Sequence, residues 1–124
     1  AAPGVKKFED EIAKIASSKF AIATITGSAA LHLALKTLNL GLGDKVIIPD
    51  FTFAASINAV ELSGATPIIV DVSREDWTLD TNLLEQVILQ ESPAAIIVVH
   101  TLGHPAKMNE ILKISYTRII CVFL

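Results

Sequence analysis

Thr26-Gly27-Ser28-Ala29 joins an apolar, β-branched run at 20–25 to an apolar run of helical period that begins at Ser28. A glycine with small and hydroxyl residues at a strand-to-helix joint suits anion capture. The first N–H groups of a helix lack intrahelical acceptors, and the helix dipole favours negative charge there. Gly27 lets a ligand approach the backbone, and the Ser28 hydroxyl supplies a donor for a phosphate oxygen. The same four residues also make an ordinary N-cap in a tight turn, and both readings stand at this point. No Gly-Lys-Ser/Thr follows and no G-x-G-x-x-G is present, so neither a P-loop nor a dinucleotide fingerprint is written here.

A second group of candidates follows "KVIIP" in "PDFTFAAS". Phe51 and Phe53 fall in a loop, where a large ring either tucks into the core or serves as a platform under a flat ligand. Asp50 and Asp71, each at the end of an apolar run, are placed to meet a ribose or to satisfy loop amides. His32 shares a helical face with Lys36 and Asn39 and is expected to be solvated. His100 and His104 have metal-like spacing, but Gly103 and Pro105 break the helix that would aim both at one ion, so no metal site is expected. His100, at the end of an apolar run, remains a ligand-contact candidate.

These residues need elements to position them. Five short runs are β-branched and apolar on both faces: 20–25, 45–49, 66–72, 94–99 and 118–124. Such runs suit strands of a parallel sheet covered by helices on both sides. Helical patterns lie between them at 28–38, 54–64, 81–89 and 108–114, preceded by an amphipathic one built on Val5, Phe8, Ile12 and Ile15. Gly64 is placed to close the helix before it, and Asp80 or Thr81 to cap the one after. The alternation predicts an α/β fold of three layers, a mostly parallel sheet with helices on both faces.

Composition narrows the function classes. The 124 residues suffice for one domain or part of one. At 52% hydrophobic the chain is apolar, yet no run approaches the ~18 residues of a membrane span. A net charge of −3 with scattered Lys and Arg leaves no basic stripe for nucleic acid. The single cysteine, Cys121, excludes an internal disulfide framework, and with no signal-peptide core visible a cytoplasmic location is expected. The opening on Ala1 and the finish on an apolar run lead to the expectation of a fragment, one incomplete domain over 1–124.

Together, "FEDEIAKIASSKFAIATITGSAALHLAL", "GLGDKVIIPDFTFAASINAVELSGATPIIVDV", "DWTLD" and "VVHTLGHPAKM" resemble the DegT/DnrJ/StrS family of pyridoxal-phosphate-dependent nucleotide-sugar aminotransferases, from about Val5 to about Ile114. The resemblance implies the N-terminal part of a fold type I aminotransferase large domain, with the C-terminal small domain absent, and an active site at a homodimer interface. It implies pyridoxal 5'-phosphate as cofactor, held by Gly27, Ser28, Ala29 and the ring of Phe53; Thr26, beside them, and His100, from its place at the end of an apolar run, are kept as further candidates. It also implies transfer of an amino group from a donor such as glutamate to a keto group of a nucleotide-linked sugar.

The chain departs from the family pattern in two places. Ile25 stands where a small polar residue is usual, and 115–124 match poorly. None of Lys6, Lys7, Lys14, Lys19, Lys36, Lys45, Lys107 and Lys113 falls at the family's Schiff-base position, so no catalytic residue is assigned and the chain alone is expected to be inactive. Two other readings remain: a Rossmann-like nucleotide-binding module in which Asp50 or Asp71 meets a ribose, and a non-catalytic assembly partner.

Overall fold

The computed structural model describes residues 2–115 and 118–123. In chain order the elements are α1 (Pro3–Ile15), α2 (Gly27–Thr37), β1 (Lys45–Pro49), α3 (Ala55–Ser63), β2 (Thr66–Val70), α4 (Thr81–Glu91), β3 (Ala95–His100), α5 (Met108–Ile114) and β4 (Arg118–Phe123), with a short 3-10 turn at Thr101–Gly103. The strands form one sheet in the order β2-β1-β3-β4, every pair parallel. Ile47 lies opposite Ile68 on one side and Ile96 on the other.

Strand periodicity divides the core between the two faces of the sheet. Val46, Ile48, Ala95, Ile97 and Val99 pack with Leu31 and Leu35 of α2 and Ala59 and Val60 of α3. Ile47, Ile96 and Val98 pack on the opposite face with Val70, Leu79, Leu84 of α4 and Ile111 of α5. This is the three-layer arrangement the alternating sequence predicts. All six positions of β3 are buried, as expected of a central parallel strand covered on both sides. Among the described residues, β2 has no second neighbour. It carries Pro67, which gives the ladder no N–H and is tolerated at an edge, and its Ile69 is 55% exposed.

Local chemistry sets the helix boundaries. The Asp80 side chain accepts from the Asn82 and Leu83 amides at the start of α4, so of the two cap candidates Asp80 is the one used. Gly64 ends α3 at φ 91°, a left-handed conformation that side chains resist.

The expected strand at 20–25 is not formed. No strand of the described residues pairs with this segment, and Phe20, Ile22 and Ile25 are 74%, 72% and 94% exposed. A strand exists only by hydrogen bonding to a neighbour, so apolar, β-branched composition alone leaves the segment extended. The Ala23 amide instead donates to the Glu9 carboxylate of α1 at 2.9 Å. α1 itself is amphipathic as expected but buries none of its residues.

Topology fixes where a site can lie. β1 connects to β2 through α3 on one face, and β2 to β3 through α4 on the other, so the strand order reverses between β1 and β3. Ligands of open α/β sheets bind at the carboxyl ends of the strands beside such a reversal. The loops following β1 and β3 open there. The segment after α2 leads straight into the start of β1, so α2 runs against the strand direction and its N-terminus also lies at the carboxyl end.

Candidate functional site

The turn before α2 is a cap that leaves part of its donor set unused. Thr26 is extended, at φ −149° and ψ 161°, and its Oγ1 accepts from the Ala29 amide at 3.1 Å. Its carbonyl accepts from the Ala30 amide at 3.1 Å and from the Thr24 hydroxyl at 2.9 Å. The Ala29 amide is therefore committed to the cap. Among the described residues the Gly27 and Ser28 amides and the Ser28 hydroxyl have no protein acceptor, and nothing lies within 4 Å of where a Gly27 Cβ would be. One amide closes the turn, and two amides with a hydroxyl are left without a protein acceptor among the described residues, as helix starts commonly leave them.

The loop after β1 leaves Phe53 68% exposed, with its carbonyl accepting from the Ser56 amide at 3.0 Å. Thr52 and Ser56 share a hydroxyl hydrogen bond of 2.8 Å, which ties the loop to the first turn of α3. Phe53 is thus held at its backbone while its ring stays outside the core. Phe51 takes the other course, with its ring centroid 5.2 Å from that of Trp77 at an interplanar angle of 60°. Such tilted pairs are a favoured aromatic geometry.

His100, 5% exposed, ends β3 and accepts from the Ala106 amide at Nδ1, 3.0 Å away. That contact requires Nδ1 to be unprotonated, and it folds the loop 101–106 back over the strand end. The adjacent Thr101 hydroxyl donates to the Trp77 carbonyl at 2.9 Å, linking this loop to the one after β2. There the Asp76 carboxylate accepts from both the amide and the hydroxyl of Thr78, at 3.0 and 2.8 Å. The Thr78 amide is the main influence holding the Asp76 carboxyl below the usual carboxylate range. The Thr78 hydroxyl and the Lys107 and His104 charges act the same way, against a desolvation that opposes them.

Sequence reasoning placed Asp76, Trp77 and Thr101 in segments that carry the resemblance but gave none of them a role. The available signal was a tryptophan beside an Asp-x-Thr pair, and Asp76 and Thr78 do close a local turn around it.

Other candidates resolve differently. Asp71 Oδ1 accepts from the Val72 amide at 2.7 Å, so this carboxylate serves its own loop. Asp50 donates its amide to the Val70 carbonyl at 2.8 Å. The expectation that His32 is solvated fails: its Nε2 is buried with no hydrogen-bond partner among the described residues. Among the described residues no group of three His, Cys, Asp or Glu side chains is placed to hold a metal ion, and no helix is long and apolar enough to cross a membrane. Cys121 lies outside the residues whose side chains are described.

Comparison with known proteins adds four findings. Residues 2–123 match the model of the DegT/DnrJ/EryC1/StrS aminotransferase family. Over 114 residues the chain is 40% identical to the GDP-perosamine synthase of Escherichia coli O157:H7, which covers 92% of this chain and 31% of that protein. The fold superposes on DesV of S. venezuelae with a TM-score of 0.91 at 35% identity, covering 98% of this chain and 33% of DesV. It also superposes on the Streptococcus pneumoniae protein Spr1654, solved in its PLP form, with a TM-score of 0.86 at 30% identity, covering 92% and 29% of the two chains. The chain thus spans about a third of the length of the relatives it matches.

Proposed function

The chain belongs to the DegT/DnrJ/EryC1/StrS aminotransferase family, and from that premise we propose that it forms the N-terminal, cofactor-binding part of the large domain of a nucleotide-sugar aminotransferase. The observation that carries the reading is the start of α2. Two amides and one hydroxyl there lack partners among the described residues, at a helix end on the carboxyl side of a parallel sheet, in a chain whose family match is continuous.

The residues fit pyridoxal 5'-phosphate. The Gly27 and Ser28 amides and the Ser28 hydroxyl donate to the phosphate, and the dipole of the 11-residue α2 adds to their attraction. Ala29 contributes its small side chain, its amide being held by Thr26. Phe53 offers its exposed ring as a face for the pyridine. Thr26 holds the turn rather than the ligand, and His100 orients the loop 101–106 through the Ala106 amide. When bound, the cofactor supplies the electron sink through which an amino group passes from a donor such as glutamate to a keto carbon of the nucleotide-linked sugar. The chain's own part is to fix the phosphate and the ring plane.

No lysine here falls at the family's Schiff-base position, so this chain binds and orients without reacting; we place it in a cytoplasmic homodimer whose remaining residues supply the reactive amine. The test is incubation with pyridoxal phosphate, equilibrium binding, borohydride reduction and mass spectrometry. Saturable, non-covalent binding without turnover is expected. A stoichiometric reduced adduct at one lysine together with transaminase turnover, or no binding at all, overturns the reading.

A further inference from the structure

At the reversal between β1 and β3, the loops following three strands enclose a cleft of about 420 Å³ lined by Phe51, Asp76, Trp77, Thr101, Leu102 and His104. It adjoins a smaller hollow of about 270 Å³ that shares Phe51, Thr101 and Leu102 and extends to Phe53. The apolar walls are built outward against their own preferences. Phe51, Trp77 and Leu102 are 46%, 56% and 88% exposed, and Trp77 and Leu102 adopt left-handed backbone at φ 57° and 50°, which bulky side chains resist. The Thr101 hydroxyl on the Trp77 carbonyl and the Phe51–Trp77 ring contact hold the walls in place.

The chemistry of the cleft selects a ligand class. Its volume is that of a small-molecule pocket. Its aromatic walls suit the face of a flat ring. Its polar edge carries an acceptor, Asp76, beside the His104 imidazole: Asp76 Oδ1 is occupied by Thr78, while Oδ2 lies 3.7 Å from the Lys107 ammonium, beyond hydrogen-bond distance. The depressed Asp76 carboxyl keeps that acceptor ionised at neutral pH. A ring with an N–H on its edge meets all three conditions. Resting on the reading of the chain as part of a nucleotide-sugar aminotransferase, we propose that this cleft seats the nucleobase of the substrate. The base stacks on Phe51 and Trp77 and donates an edge N–H to Asp76, and the hollow leading to Phe53 directs the sugar end toward the cofactor ring.

Trp77 is the only tryptophan, so its fluorescence reports on the cleft directly. The chain is titrated with GDP, UDP, dTDP and inorganic pyrophosphate, and separately with pyridoxal phosphate. Saturable quenching by at least one nucleoside diphosphate and none by pyrophosphate is expected. Phe51→Ala should raise the half-saturation by about tenfold, the loss of one stacking partner. Leu102→Asn, which tolerates the left-handed backbone, should weaken binding without disturbing the fold, and Leu89→Ala on the exposed face of α4 should change nothing. Equal quenching by pyrophosphate, no quenching by any nucleotide, or a concentration-dependent blue shift without nucleotide, which would mean a second copy covers Trp77, overturns the proposal. Pyridoxal phosphate binding without nucleotide binding removes the nucleobase seat alone. Nucleotide binding without pyridoxal phosphate binding removes the aminotransferase reading and leaves a nucleotide site.

Discussion

β3 and the segment 20–25 are alike in sequence and opposite in fate. Both are short, apolar and β-branched, yet β3 is buried at all six positions between two paired strands, while 20–25 leaves Phe20, Ile22 and Ile25 exposed without a strand partner among the described residues. Composition records that a surface is to be covered. It does not record that the cover lies within these residues. The same holds for α1, whose apolar stripe of Val5, Phe8, Ile12 and Ile15 meets no core.

The contrast can be broken by mutation. Ile96→Ala, at a fully buried position against the α4–α5 face, should destabilise the chain by about 2–5 kcal/mol. Ile22→Ala, the same kind of truncation at an exposed position, should stay within about 0.5 kcal/mol. Denaturant melts of the two variants decide the matter, and equal losses would show that 20–25 is packed in solution.

Smaller effects sharpen it. Gly64→Ala should lower stability by about 1–2 kcal/mol, because φ 91° penalises a Cβ while the space around it, with Gly41 Cα at 3.8 Å, is ordinary contact. A melt unchanged by this substitution would mean that the α3 terminus relaxes freely. A weaker signal should come from the loop around Trp77. The Asp76 carboxyl is depressed in the folded chain, so its contribution to order is complete above the ordinary carboxylate range. That contribution declines as pH falls through the range and is lost below the folded value. Trp77 fluorescence should therefore hold steady near neutrality and change on acidification. Asp76→Asn should remove that particular transition, and a transition surviving in the variant assigns it to another group.

How much of this was legible in the sequence follows the same line. β1 and β3, buried on both faces, declared themselves through continuous β-branched runs, and α4 through its period and its Asp80 cap. The turn at Thr26 to Ala29 was legible as a helix start, because glycine and hydroxyls mark such turns, while the strand read before it is absent among the described residues. The unpaired state of 20–25 was not legible, since pairing is a long-range property. Nor was the link from Thr101 to the Trp77 carbonyl, which joins residues 24 apart through a backbone atom that carries no residue identity. His32 was misread because burial of its Nε2 depends on the tertiary packing around α2, and a helical wheel does not contain that information.

The claim on which the rest depends is that the turn before α2 is a phosphate seat and Phe53 a ring platform, two separable parts of one cofactor site. Calorimetric titration of the chain and its Ser28→Ala, Gly27→Val and Phe53→Ala variants, with pyridoxal phosphate and with inorganic phosphate, tests it most directly. Ser28→Ala removes a hydrogen bond to a charged group worth roughly 1.5–3 kcal/mol, so affinity for pyridoxal phosphate should fall by about one to two decades. Gly27→Val should reduce it further by obstructing the approach. Phe53→Ala should weaken pyridoxal phosphate binding while leaving phosphate binding unchanged. Unchanged pyridoxal phosphate affinity in both Ser28→Ala and Gly27→Val would contradict the account and leave the turn as a helix cap alone.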